Sequence, residues 1–410
     1  MTMTADIVIC GAGMAGIATA YELAVRRGVR RVVLVDEREP LTLTSDKGTQ
    51  AYRNWWPDGV MVQLMERSIG RLEELALESG NAFGLEPRGY LYVARSAASA
   101  ADLLHSAATT AALGVGPPQG ADFYHGTGTI RTRFPYLAPD ADAALHVRRA
   151  GWLDALRLGR WLLERSGARG VEFRRDTVVG VDLARGRVAG VRLASGDHIA
   201  AQVLVLAAGP LLARAAALLP DVRLPVACEL HTKLCFADVR GALPRDAPLV
   251  IGCDPLQVDG DELPAGVHAR PLDRGDGRPL ALVLWSYDNP PMSQPEFPPR
   301  FDPQFARIVL RGMAQVVPGF SAYSETPADA VVDGGYYCTT PDHRPLVGPL
   351  PVEGAFVAGG LAGYGIMSSQ GVAELVASHV VGGAIPDYAA ALHPQRFPSD
   401  TPPPAASGAL

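Results

Sequence analysis

Lysine is almost absent from this 410-residue sequence: Lys47 and Lys233 are the only two, and the remaining basic charge is carried by arginines spread along the chain. Such even spreading reads as compositional bias, and it confines any catalytic lysine to one of two positions. Basic clusters are missing too. With a formal net charge of -6 the chain lacks the electrostatic footprint of a nucleic-acid binder. Cysteine is sparse: Cys10, Cys228, Cys235, Cys253 and Cys338 form neither a CxxC pair nor a zinc spacing, and an odd number argues against a complete disulfide framework. The expectation is a reducing, cytoplasmic setting, with no metal centre and no Ser/His/Asp triad. No apolar run reaches the roughly 18 residues of a membrane span, so no transmembrane segment is expected. Residues 1–6 carry no basic stretch before the first apolar run, and no secretory signal is expected there.

What remains is an ordinary globular composition, 48% apolar and 20% charged, in a chain long enough for two packed domains. Ile7-Val8-Ile9-Cys10 is continuously apolar, as a parallel strand buried on both faces should be. A helical pattern follows over 14–27, Gly28 closes it, and Val32-Val33-Leu34-Val35 forms a second buried strand ending at Asp36. Val60, Met61, Leu64, Met65, Leu72 and Leu75 recur at helical spacing, which predicts an amphipathic helix after a Trp55-Trp56-Pro57 loop. Strand-like alternation runs over 171–206, broken by turns at Arg185-Gly186 and Ser195-Gly196-Asp197, and a further strand is expected over 280–287. A last strand, 355–358, meets a glycine turn and a helix over about 366–381. Beyond His393 the proline- and alanine-rich end shows no periodicity and reads as surface-draped or disordered.

Gly11-Ala12-Gly13-Met14-Ala15-Gly16 places GxGxxG between a buried strand and a helix. The first glycine makes the turn, the second admits a pyrophosphate and the third lets helix and strand pack. Asp36, at the end of the second strand, stands where a ribose-binding acid is required. This constellation predicts a bound dinucleotide, and by itself it suits NAD as well as FAD.

Three further segments carry a resemblance. They are Thr44-Ser45-Asp46-Lys47-Gly48-Thr49-Gln50-Ala51-Tyr52-Arg53, then Val205-Leu206-Ala207-Ala208-Gly209-Pro210, and finally Thr340-Pro341-Asp342-His343-Arg344-Pro345-Leu346-Val347-Gly348-Pro349 with Gly359-Gly360-Leu361-Ala362-Gly363-Tyr364-Gly365. In this order, with the first fingerprint, they resemble the FAD-dependent D-amino-acid oxidase superfamily, especially its sarcosine oxidase and glycine oxidase branch. The resemblance implies an α/β plus α+β fold, in which a Rossmann-type, glutathione-reductase-like FAD domain is interleaved with an antiparallel β-sheet substrate domain. The FAD domain is expected over 1–84, 151–225 and 340–395, the substrate domain over 85–150 and 226–339, and a tail over 396–410. FAD contacts are implied at Gly11, Gly13, Met14, Ala15, Gly16, Asp36, Glu37, Arg38, Ser45, Lys47, Gly48, Val178, Gly209, Gly363, Gly365, Ile366 and Met367. Backbone N–H groups at Gly365, Ile366 and Met367 would lie at a helix N-terminus, suited to the negative charge of a reduced flavin.

The chemistry implied is oxidation of a C–N bond in a small amine by hydride transfer to the flavin, followed by hydrolysis of the imine. Catalytic roles fall on Arg53, Tyr337, Lys47 and Gln50. In the family, the arginine matching Arg53 acts with a lysine at the position of Met367 to hold the substrate carboxylate. Gln50 replaces another family arginine, so positive charge around the flavin is reduced. The bland readings are a surface ion pair for Arg53, core packing for Tyr337, Trp55 and Trp56, a solvated loop cation for Lys47 and a loop-ordering role for His343. The family's covalent attachment position falls on Gly335. Cys338, an odd number of residues away on an extended segment, is expected to face the other side, so FAD is expected to be non-covalent. Oxygen-using members place a lysine beside the flavin in a stretch matched here by 283–288, which has none. Slow reaction with oxygen and an electron-acceptor partner are therefore implied, unless Lys47 substitutes. Two alternatives stay open: a flavin enzyme acting on a larger, carboxylate-free metabolite with a non-oxygen acceptor, and a non-catalytic flavin-bearing assembly protein.

Overall fold

The apolar strand Ile7–Cys10 lies inside a six-stranded sheet, with Val32–Asp36 and Glu172–Arg175 on one side and Val203–Leu206, Ala355–Gly359 and Leu346–Pro349 on the other. Every pairing is parallel except the last, an antiparallel hairpin. Both faces of the central strands are covered, which is why they read as unbroken apolar runs. On one face Ile7, Ile9, Val32, Leu34 and Val205 pack against the helices Gly59–Ser79 and Gly365–Val381. On the other, Val8, Val33, Val35, Leu204 and Leu206 pack against a four-stranded sheet of Thr2–Thr4, His198–Ala200, Arg187–Leu193 and Val178–Ala184. This is a computed structural model, and it describes residues 2–113, 120–273, 275, 277–323, 326–398 and 400–404. No helix among the described residues is long and apolar enough to cross a membrane.

A separate eight-stranded sheet runs in the order Val331–Thr339, Ala227–Ala237, Leu280–Leu284, His268–Leu272, Leu249–Gly252, Tyr90–Ala94, Ala143–Val147 and Ala121–His125. It is antiparallel apart from the pairing of Leu249–Gly252 with Tyr90–Ala94. The helix Phe305–Val316 backs one face, its Val309, Leu310 and Met313 meeting Leu234, Phe236 and Val283. Gly312 is a close-approach position in this packing, since a Cβ there would lie 2.3 Å from the Trp285 ring. The opposite face presents a row in register across six strands: Tyr92, Ile251, His268, Leu284, Lys233 and Asp333. By the two-residue period of strands, Glu229, His231, Gly335 and Tyr337 share that face.

Some elements differ from the sequence expectation. The helix over 14–27 is regular over Met14–Tyr21 and continues as a π-helical segment, Glu22–Arg26. The strand expected over 280–287 ends at Leu284, where Trp285 turns its indole N–H to Pro264 O at 2.9 Å. The chain end is docked where the tail was expected to begin, because Arg396 donates to both carboxylate oxygens of Asp342 at 2.8 and 2.9 Å. Of that expected tail, residues 399 and 405–410 lie outside the described residues.

Candidate cofactor and active site

Between the two sheets lies a cleft, entered by the glycine turn after Ile7–Cys10 and by the loop leading into Gly365–Val381. Its residues suit a dinucleotide. A Cβ at Gly11 would strike Ala207 O at 2.3 Å, so this turn is fixed by protein packing. At Gly13 the nearest atom to a Cβ would be Ser45 Oγ at 3.6 Å. The protein therefore leaves room there, and it is a ligand that the missing side chain admits. Asp36 borders the cleft, its carboxylate accepting from Ala12 N–H at 2.7 Å and Arg38 N–H at 3.0 Å. The helix Gly365–Val381 starts without a side-chain cap, and Gly363, Gly365 and Ile366 border the cleft, presenting its positive end.

The polar face of the eight-stranded sheet closes onto the loop over residues 43–53, through contacts from distant parts of the sequence. Lys233 Nζ donates to Asp46 O, and Arg270 Nε donates to Thr49 O at 2.9 Å. Two buried cations thus hold main-chain carbonyls of one loop. Burial pulls the Lys233 ammonium below the ordinary lysine range despite Asp46 and Asp333, and it pulls Arg270 down to about 10. Lys47 turns away from the cleft, with its ammonium 2.9 Å from Asp333 Oδ2 and 3.5 Å from Asp46 Oδ1. Gln50 has a φ of 56° and is held at both ends of its amide, to Asp46 O at 3.3 Å and from Ala155 N–H at 3.0 Å.

Arg53 ends the strand Ala51–Arg53 and enters an aromatic enclosure. Its guanidinium lies 4.3 Å from the Trp56 ring centroid and 5.7 Å from that of Tyr90, with Tyr92, Tyr364 and His268 around it. Its Nε donates to Trp55 O at 3.2 Å, and among the described residues no carboxylate pairs with it. Desolvation pulls His268 down to about 4, so that ring is neutral near pH 7. Arg53 is half-buried, and the tyrosines around it, with a side-chain hydrogen bond to Tyr90, raise its pKa against the pull of desolvation, so it is charged and open to a ligand's negative charge.

Tyr337 borders the cleft and stacks on His231, with ring centroids 3.9 Å apart and planes inclined by 18°. The His231 ring contacts Ser286 Oγ at 2.7 Å and Glu229 Oε2 at 3.3 Å, while Thr339 Oγ1 donates to Glu229 Oε1 at 3.2 Å. Glu229 and His231 are 2% and 1% exposed. Burial lowers the His231 pKa against the pull of Glu229.

Of the expected cofactor residues, Gly11, Gly13, Met14, Ala15, Asp36, Ser45, Gly48, Gly209, Gly363, Gly365 and Ile366 border the cleft, as do Gln50 and Tyr337. Gly16, Glu37, Arg38, Lys47, Arg53, Val178 and Met367 stand outside its lining. Gly16 serves the packing of helix on strand, since a Cβ there would lie 1.9 Å from Gly11 O. Arg38 pairs with Glu37 at 3.3 Å, and its buried Nε has no partner. Val178 and Met367 belong to apolar clusters, Met367 with Trp55, Trp56 and Tyr364. His343 has a φ of 54°, and its carbonyl accepts from Tyr364 Oη, in keeping with loop ordering. Cys338 alternates with Gly335 and Tyr337 along its strand and packs among Leu212 and Leu346, although the residue also borders the cleft. Among the described residues no group of three or more His, Cys, Asp or Glu is arranged for a metal.

Lys233, Arg270 and the Glu229–His231 pair were not singled out from sequence as site residues. Alternation along 227–237 puts Glu229, His231 and Lys233 on one face, and three polar residues on the same side of a buried strand was the available signal.

A family model described as DAO, FAD dependent oxidoreductase, matches residues 6–379. Among solved structures the fold is similar to L-proline dehydrogenase from P. horikoshii, with a TM-score of 0.81 and 19% identity over 97% of this chain and 98% of that one. It is likewise similar to glycine oxidase from Geobacillus kaustophilus, with a TM-score of 0.80 and 21% identity over 96% and 99% of the two chains. L-amino acid deaminase from Proteus vulgaris gives a TM-score of 0.76 and 18% identity over 97% and 95%. No curated protein matches the sequence itself.

Proposed function

The chain belongs to the DAO family of FAD-dependent oxidoreductases, and from that premise we propose that it oxidises the C–N bond of an amine carrying a carboxylate, giving an imine. Bound in the cleft, FAD supplies the hydride acceptor. Gly13 and the N-terminus of Met14–Tyr21 would hold its pyrophosphate, Asp36 its ribose, and the N-terminus of Gly365–Val381 the edge that becomes negative. The observation that carries the substrate class is Arg53, an enclosed guanidinium without an acidic partner among the described residues. Trp56, Tyr90 and Tyr92 line its surroundings and limit its contact with water, which strengthens its pull on a carboxylate. Tyr337, fixed by its stack on His231, would orient the reacting end. Anaerobic mixing of the flavin-loaded protein with N-methyl amino acids, D-amino acids and carboxylate-free secondary amines tests this reading. Bleaching of the visible flavin band by the carboxylate-bearing compounds is expected, and bleaching by the carboxylate-free amines alone would overturn it.

Met367 favours a second reading. It stands where the family's partner lysine is expected and is buried among Trp56 and Tyr364, an apolar surface suited to a larger metabolite with less charge. The same panel separates the two.

The cofactor is held without a covalent bond in this reading, because Gly335 has no nucleophile and Cys338 packs behind its strand. Acid precipitation is expected to release all the flavin, and yellow colour kept in the pellet would refute this. A reducing cytoplasm suits the five free cysteines.

Lys233 bears on the electron acceptor. It sits directly across from Leu284, beside the stretch in which a lysine was missing, and its ammonium stands 4.0 Å from Asp333, whereas Lys47 is held closer, 2.9 Å from Asp333 and 3.5 Å from Asp46. A fixed cation near the reacting centre favours electron transfer to oxygen. Lys233→Met is therefore expected to slow reoxidation of the reduced protein by air about tenfold, equivalent to ~1.4 kcal/mol of activation energy, with little change in Lys47→Met. Rapid mixing with oxygenated buffer measures both, and equal rates in Lys233→Met and wild type would remove Lys233 from this role.

A further inference from the structure

Cys228 and Cys338 stand directly opposite each other on the antiparallel strands Ala227–Ala237 and Val331–Thr339. The N–H and C=O of Cys228 both bond to Met292, at 2.8 Å each, on the far side of its strand. Its pairing with Cys338 is therefore of the non-hydrogen-bonded kind, in which Cα atoms approach to about 4.5 Å and side chains lie closest. A disulfide spans Cα separations of about 4.4–6.8 Å. The two side chains leave their strands on the same face within reach of each other, and Cys228 Sγ donates to Pro210 O at 3.2 Å. Gly360 N–H points at the Cys338 sulfur. Pro210, Cys338 and Gly360 border the cleft, and Cys228 lies directly across from Cys338 behind that lining.

No other cysteine shares this arrangement, since Cys235 pairs in register with Leu282 and Val331, and Cys10 with Val35 and Leu206. Reactivity differs too. The hydrogen bond from Cys338 holds the Cys228 thiol below its ordinary pKa, whereas burial pushes Cys10 and Cys253 up to about 12.

We propose that Cys228 and Cys338 form a reversible dithiol/disulfide couple in the wall of the cofactor cleft, oxidised by hydrogen peroxide. The Cys228 thiolate attacks one peroxide oxygen, the O–O bond breaks, and hydroxide leaves as Cys228 becomes a sulfenic acid. The Cys338 thiol then attacks that sulfur, the S–O bond breaks, and water leaves as the disulfide forms. The two thiols together lose two electrons and two protons, and the peroxide ends as two waters. The couple rests on strand register and does not depend on which amine the enzyme oxidises.

Flavin-loaded protein, reduced with dithiothreitol and desalted, is titrated with hydrogen peroxide, alkylated, and digested without reductant for mass mapping. One cross-linked peptide pair joining positions 228 and 338 is expected, lighter by two hydrogen atoms and fully restored by dithiothreitol. In Cys338→Ser the sulfenic acid should persist on Cys228 and be trapped by dimedone. Full alkylation of both cysteines after peroxide treatment, or cross-links running to Cys10, Cys235 or Cys253, would overturn the proposal. The wild-type map decides on its own if the serine variant does not fold, and oxidation of a single cysteine to the sulfinic acid without any cross-link would also overturn it.

Discussion

Asp36→Ala is expected to give a folded protein whose FAD affinity has fallen by about two orders of magnitude. The carboxylate lies at the cleft edge and already accepts two main-chain N–H groups, from Ala12 and Arg38, so its oxygens are oriented before any ribose arrives. Two hydrogen bonds from ribose hydroxyls to an ionised oxygen are worth about 3 kcal/mol at the low end of the charged range. At 1.4 kcal/mol per decade, that loss corresponds to roughly a hundredfold in Kd. Some stability should also be lost, because Ala12 is fully buried and its N–H loses its acceptor. Titration of the flavin-free variant with FAD, followed by tryptophan fluorescence, measures the change. Undiminished occupancy after dialysis would show that the ribose is held elsewhere, with Glu37 the next residue to replace. Asp36→Asn, which keeps an acceptor without the charge, should fall between the two.

Arg53→Met should raise KM for the best amine by two to three orders of magnitude while flavin content stays at the wild-type level. Arg53 lies outside the cofactor lining, so the cleft loses nothing. A bidentate guanidinium–carboxylate contact amounts to two charge-assisted hydrogen bonds, about 3–4 kcal/mol together. Stability provides an independent readout. Arg53 is half-buried, lies over the Trp56 ring and donates to Trp55 O, so methionine, which keeps the apolar stem, gives up only these contacts. The melting temperature should therefore stay close to the wild-type value as activity falls. A variant that melts earlier and loses flavin would mean that Arg53 only supports the loop, and the carboxylate assignment would fail.

The nucleotide-binding half was legible in the sequence because its signals are local. A continuous apolar strand, a glycine turn, a helix and a terminal acid all fall within residues 7–36, and the structure places Gly11, Gly13 and Asp36 on one cleft. Arg53 was legible as a motif position, but its lack of a partner was not. That property depends on Tyr90, Tyr92 and His268, which reach it from two strands far apart in the chain. Lys233 shows the same limit. Sequence separation set it aside from 283–288, yet antiparallel pairing sets it directly opposite Leu284. Strand order is a non-local outcome of packing, and period-two alternation gives the face a residue occupies without giving its neighbour. Alternation likewise set Cys338 on the opposite face from Gly335, but it did not show that Cys338 also borders the cleft.

The grip of Lys233 and Arg270 on the loop falls on the carbonyls of Asp46 and Thr49, groups that every amino acid possesses. Side-chain identity at those two positions is thereby separated from the anchoring that Lys233 and Arg270 provide. The loop can drift in sequence, and with it the lining beside the cleft, while its path between the two layers is retained. Lys233 and Arg270 themselves have less latitude, because a shorter or neutral side chain would leave a loop carbonyl without its donor. Variation among descendants of this chain should therefore gather on the loop and spare the two cations of the sheet, which makes Thr49, beside the cleft, the economical place to begin altering its lining.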